Sequence, residues 1–196
     1  MVRSGLSGQM TDVSHFWLSV HLLTALFTLG GLIWTALDLR KLASSGVHQP
    51  SRLTLFAFGV ALILFIQLLL GAWVAGLNAG HASYDWPLMQ GRFVPEFDAS
   101  RGWLWAMTHD PFLLHFLHRW WAFVAVGALI WLALRVRATD RRASIALHSA
   151  FGVQVLLGIA TVLSGMAISL AVLHQLVGAL LVIATAWCLH LEGSKR

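Results

Sequence analysis

Five stretches of the chain, roughly 14 to 38, 52 to 78, 111 to 136, 143 to 165 and 167 to 190, are long and apolar enough to cross a bilayer. A helix needs about 20 residues for this. Inside lipid a segment must satisfy its own backbone polar groups, and a helix does so with local hydrogen bonds alone. The fold class that follows is all-α, a polytopic membrane helix bundle with five transmembrane helices. Composition supports this: 58% of the 196 residues are hydrophobic and 11% are charged, against about 25% charged in soluble domains. The single cysteine, Cys188, lies near the end of the fifth stretch. No disulfide or CxxC site can therefore close within one chain, and Cys188 reads as packing.

The net charge of +5 does not indicate nucleic acid, because the basic residues sit in short connections at helix ends rather than in one stripe. Arg40, Lys41 and Arg52 flank the first connection, Arg135, Arg137, Arg141 and Arg142 the third, and Lys195 with Arg196 close the chain. These places alternate correctly if all are cytoplasmic. The N-terminus, the 79–110 loop and the turn before residue 167 then lie outside. The 79–110 loop carries Trp86, Pro87, Trp103 and Trp105, which suit an interfacial cap on the outer headgroups. The alternative is a lid over an outward-facing pocket. Asp110 followed by Pro111 predicts an N-cap and the first residue of the third helix.

Three histidines sit near the starts of three apolar stretches, each with a small residue one turn on: His21 with Ala25, His118 with Ala122, and His174 with Gly178. Residues four apart share a helix face, so each imidazole adjoins nearly bare helix. A histidine in lipid is costly without a partner, and iron in a flat macrocycle is a partner that also needs such space. The third and fifth stretches run in the same direction, and His118 and His174 are each about seven residues in. Equal depth is what bis-histidine ligation of one iron requires. His118 and His174 are thus the candidate metal ligands. His21 would be half of a second site whose other half is absent. His115 shares the face of His118 and would touch the macrocycle edge or a propionate, and Arg119 would pair with a propionate. His148 and His190 read as interfacial at the other membrane face. His15, His48, His81 and His109 read as solvated residues in loops or at helix starts.

Internal repetition shapes the domain reading. Gln67-Leu68-Leu69-Leu70-Gly71 recurs as Gln154-Val155-Leu156-Leu157-Gly158, and Met1-Val2-Arg3-Ser4-Gly5-Leu6 resembles Thr161-Val162-Leu163-Ser164-Gly165-Met166. The chain reads as the C-terminal portion of a duplicated four-plus-four bundle. Residues 1–40 would be the tail of an N-terminal half, holding the end of its third helix and its fourth helix. Residues 41–51 would be a cytoplasmic loop, and 52–196 a C-terminal four-helix heme-binding half with the external loop 79–110. The two glutamines read as interhelical hydrogen-bonding groups. Gly71, Gly76, Gly152 and Gly158, with Gly30 and Gly31, read as points of close helix approach.

Several motifs together carry a family resemblance: Met1 to Leu6, Val13-Ser14 leading to His21-Leu22, the run from Leu70-Gly71-Ala72-Trp73 to Asn78-Ala79-Gly80, Trp86-Pro87-Leu88-Met89, His118-Arg119 and His174-Gln175. In these the chain resembles the heme A synthase family of alphaproteobacterial and mitochondrial type. The resemblance implies eight helices in two halves, with a heme b between His118 and His174 in the C-terminal half. It implies an oxidoreductase that converts the C8 methyl of heme O to a formyl group, giving heme A for cytochrome oxidase assembly. Heme O would be the substrate, with heme O synthase, an electron acceptor and membrane lipid as partners. It involves no nucleic acid, leaves a homo-oligomer open, and implies a bacterial cytoplasmic membrane ahead of the mitochondrial inner membrane. The family carries a Glu and a His-Arg pair on an early helix that this chain begins after, so the truncated chain alone is expected to be inactive. A fragment or a misplaced start would both account for the short N-terminus. His115 stands where the family often has Gln. The rival function is a non-enzymatic bis-histidine carrier resembling cytochrome b. A scaffold or transporter without heme leaves the three small residues unexplained.

Overall fold

In the computed structural model residues 14–46 and 50–194 are described. Segment 1–6, matched above to 161–166, lies outside them, as do Val13, His48, Lys195 and Arg196. Five long helices, α1 (His15–Ser45), α2 (Leu55–Gly76), α4 (Pro111–Val136), α5 (Arg141–Leu163) and α6 (Ile168–Gly193), carry the chain through the bundle. Within the long connection between α2 and α4 lie a 3₁₀ turn (Ala79–Ala82) and the short helix α3 (Trp103–His109). Among the described residues there is no strand, only an isolated Met89–Arg92 bridge. All five long helices have the length and hydropathy of membrane spans. The all-α, multi-pass expectation therefore holds.

Local chemistry sets the helix ends. The Asp110 carboxylate accepts the Leu113 N–H at 2.9 Å and the Asp98 N–H at 3.1 Å, and Pro111 follows at the first helical position, as expected. Thr54 and Asp140 cap α2 and α5 in the same way. Helix α1 runs further than its apolar stretch, through Arg40 and Lys41 to Ser45. Its 31 residues span about 46 Å at 1.5 Å per residue. The hydrocarbon is about 30 Å thick, so charged residues at the helix end can continue the helix outside it. Gly46 stops it in the left-handed region at φ +67°, donating to Leu42 O at 2.8 Å.

Helix α4 packs against α2, α5 and α6, while α1 lies against α2 and α6 and closes the ring. At the end away from the long loop, the basic end, the interior is a continuous apolar core that includes Ala57, Val60, Leu129, Leu132, Val136 and Leu147. Polar pairs tie the helices there. Arg135 Nε donates to Glu192 Oε1 at 2.8 Å, His190 Nε2 meets Asp38 Oδ1 at 2.8 Å, and the Ser51 and Ser194 hydroxyls bond. Cys188 is fully buried in that core. At the loop end, α1 crosses α2 at Gly76, where a Cβ would come within 2.7 Å of the His15 Cα. The two halves of the bundle are packed differently, and the second holds the site.

Candidate functional site

In the loop-side half, the apolar core gives way to a cavity of about 260 Å³ bordered by α1, α2, α4, α5 and α6. His118 and His174 both line it. His118 lies seven residues after the start of α4 and His174 six after the start of α6, so their depths differ by about 1.5 Å.

Each ring is cradled by a neighbouring helix in the same manner. On α2, Gln67 Nε2 donates to His118 Nδ1 and to the His118 carbonyl, both at 3.2 Å. One turn along, a Cβ on Gly71 would lie only 2.9 Å from His118 Cε1. On α5, Gln154 Nε2 lies 3.3 Å from His174 Nε2, and a Cβ on Gly158 would lie 3.1 Å from His174 Cε1. The Gln-x-x-x-Gly repeat is thus a pair of imidazole cradles. Read from sequence as hydrogen bonding between helices and close approach, these four residues face the histidines directly. Their recurrence was the available signal, but it does not say what stands opposite.

The small residues one turn beyond each histidine divide by role. Ala122 and Gly178 line the cavity, and a Cβ on Gly178 would press to 3.3 Å from Gln154 Nε2. Gly178 therefore clears the cradling amide as well as the cavity. Ala25 does neither. Leu22 and Leu26 are the α1 residues that line the cavity, while His21, Thr24, Ala25 and Thr28 lie exposed on its outer face. His21 is not brought to His118 and His174.

Arg119 is 5% exposed. Its Nη1 donates to Asp85 O at 2.8 Å and Leu88 O at 3.2 Å, its Nη2 to Ser83 O at 3.0 Å, and its Nε to His115 Nε2 at 3.0 Å. Four of its five N–H groups are used on neutral acceptors, so it pins segment 83–88 onto α4. Trp86 of that segment lines the cavity and stacks near Trp120, with centroids 6.4 Å apart. This geometry favours the lid reading of the loop. On α3, Trp103 and Leu104 remain exposed, as an interfacial cap would. His115 is buried beside Arg119 and also borders the cavity.

Other histidines are committed elsewhere. His190 pairs with Asp38 and His148 bonds to the Ser144 carbonyl at 2.8 Å. His15, expected to be solvated, is buried in α1 because that helix crosses α2 on top of it, and its ring meets His109 edge-on at 5.3 Å.

Residues 1–186 match the COX15-CtaA family, described as cytochrome oxidase assembly protein. Over its whole length the chain is 66% identical to the heme A synthase of Erythrobacter litoralis, covering 58% of that protein. It is 55% identical to the heme A synthase of Sphingopyxis alaskensis, again over the whole chain and 55% of the relative. Against the heme A synthase of Paracoccus denitrificans identity is 35% over 90% of the chain and 49% of the relative. The chain spans about half the length of the curated relatives it matches. No solved structure matches it.

Proposed function

The chain belongs to the COX15-CtaA family of cytochrome oxidase assembly proteins, and on that premise we propose that it is the heme b half of a heme A synthase. The observation that carries the reading is the pair His118 and His174, at matching depth on α4 and α6, lining one cavity. A heme fits the residues present on two grounds. A Cβ would clash with the imidazole at Gly71 and crowd it at Gly158. His174 Nδ1, Gln67 Oε1 and Gln154 Oε1 are buried without a hydrogen-bond partner, polar atoms that a ligated imidazole could use. His118 and His174 would hold the iron. When bound, the heme would supply a one-electron couple suited to electron transfer.

The chain's own groups then have distinct tasks. Arg119 holds the 83–88 segment over the cavity and keeps one N–H for a propionate. Trp86 and the aliphatic lining exclude water. His21, on the exposed face of α1, would serve the substrate heme O together with helices of the N-terminal half, with residues 1–40 belonging to that half and 41–51 linking it to 52–196. The complete protein would oxidise the heme O methyl to a formyl group, receiving heme O from its synthase and passing electrons to an acceptor. The chain alone would lack turnover. The basic connections would lie in the cytoplasm.

A cytochrome b-like carrier with hemes near both faces is less well supported. His190 and His148 are taken by Asp38 and the Ser144 carbonyl, and the basic end is packed solid. Two measurements test the proposal. In the complete protein, His118→Ala and His174→Ala should each abolish the Soret band of the bis-histidine heme, and an unchanged spectrum would refute the ligand assignment. Supplied with heme O, the complete protein should yield heme A; bound heme without conversion would favour the carrier.

A further inference from the structure

We infer that Gln67 and Gln154 are positioning residues for the two axial imidazoles, fixing each ring's orientation and setting how strongly it donates electrons to the iron. The inference rests on the heme reading above. It starts from an imbalance in hydrogen bonding. Both amides use their nitrogen on a histidine, Gln67 on His118 and Gln154 on His174, and both leave Oε1 buried without a partner. An amide used only to tie helices would satisfy its acceptor on the neighbouring backbone or a neighbouring side chain.

Ligation removes the imbalance. An imidazole that binds iron through one nitrogen carries its proton on the other, and that N–H needs an acceptor. A half-turn of the amide about Cγ–Cδ exchanges Nε2 for Oε1 with little change of position, and at Gln67 it gives up the bond to the His118 carbonyl. The same glutamine is then a donor to the free ring and an acceptor from the ligated one. In both pairs one ring nitrogen faces the amide. At His118 this is Nδ1, leaving Nε2 for the iron. At His174 it is Nε2, so ligation there either uses Nδ1 or follows a half-turn of the ring. Gly71 and Gly158, one turn from each glutamine, bring bare backbone against the same ring. Two contacts from one helix face thus define the plane of each imidazole.

Acceptance of the imidazole proton gives the ring imidazolate character and favours ferric iron. Removing the acceptor should raise the midpoint potential, and replacing it with a carboxylate of equal size should lower it. The test compares the complete protein with its Gln67→Leu, Gln67→Glu, Gln154→Leu and Gln154→Glu variants, purified in detergent with native heme. The readouts are heme content, midpoint potential by optical titration, and the low-spin ferric EPR spectrum. We expect Leu to shift the ferric-to-ferrous equilibrium toward ferrous by about tenfold, which is 59 mV for a one-electron couple. Glu should shift it the opposite way, and the Leu variants should show an altered EPR spectrum as the ring plane relaxes. Shifts of the same sign for Leu and Glu, or an unmoved potential, would overturn the inference while leaving the heme reading intact. If the Leu variants lose heme, the Glu variants alone decide by the sign of their shift. Heme loss from the Glu variants would also overturn it, because an acceptor of the same shape should keep the ring in place. A wild-type protein without heme would instead defeat the heme reading itself.

Discussion

The basic end and the loop end of this bundle are built from the same helices, yet their interiors differ in kind. At the basic end the interior positions of α2, α4, α5 and α6 are filled by residues such as Val60, Leu132, Val136, Leu147 and Cys188. Further along the same helices, toward the long loop, the interior positions become Gln67, Gly71, His118, Gln154, Gly158 and His174, around a cavity. The first arrangement maximises packing contacts, which hold helices together in lipid. The second gives up those contacts for polar groups and space. A closely packed end therefore supports an open one, and the 83–88 segment fastened by Arg119 brings Trp86 to the cavity lining.

Substitutions can break this contrast from either side. The largest effect should come from Gly71→Leu, which drives a side chain into the His118 ring: heme content of the purified protein should fall to background while helicity by circular dichroism is retained. Gly127→Leu, where a Cβ meets nothing within 4 Å, should leave heme content unchanged. At the basic end, Leu132→Ala should cost about 2–5 kcal/mol, the range for a fully buried leucine, read as a lower midpoint in detergent-mixture unfolding with the heme spectrum unaltered in the folded fraction. Arg119→Met should free the 83–88 segment, since hydrogen bonds to charged groups contribute about 1.5–3 kcal/mol each. Limited proteolysis of the 79–110 loop should then be at least about tenfold faster. The smallest effect belongs to the ion pair of Arg92 and Glu96 on the loop surface, whose side chains are 60% and 81% exposed. A double-mutant cycle there should return less than about 1 kcal/mol.

Much of the fold was legible in the sequence. The spans follow from hydropathy, and the start of α4 follows from Asp110 and Pro111, because a cap acts within four residues of itself. The end of α1 was less legible, because Arg40 and Lys41 mark where lipid ends and not where the helix does. Of the site, His118 and His174 were visible from equal offsets on two helices running the same way. Gln67, Gly71, Gln154 and Gly158 were visible as a repeat suited to interhelical hydrogen bonding and close approach, which holds, but nothing in it pointed to His118 and His174 as the partners; nor did the sequence show that Arg119 holds three loop carbonyls.

Periodicity along a helix determines which residues share a face, and so sequence alone settled that His118 and Ala122, or Gln154 and Gly158, act side by side. It carries no information on which helix lies opposite that face. Only the packing of α2 on α4 and of α5 on α6 placed each glutamine against a histidine, and only the fold of the 83–88 segment turned Arg119 into its anchor. Side-chain order is local and repeats every 3.6 residues, whereas the partner across a bundle depends on how all the helices satisfy their contacts together.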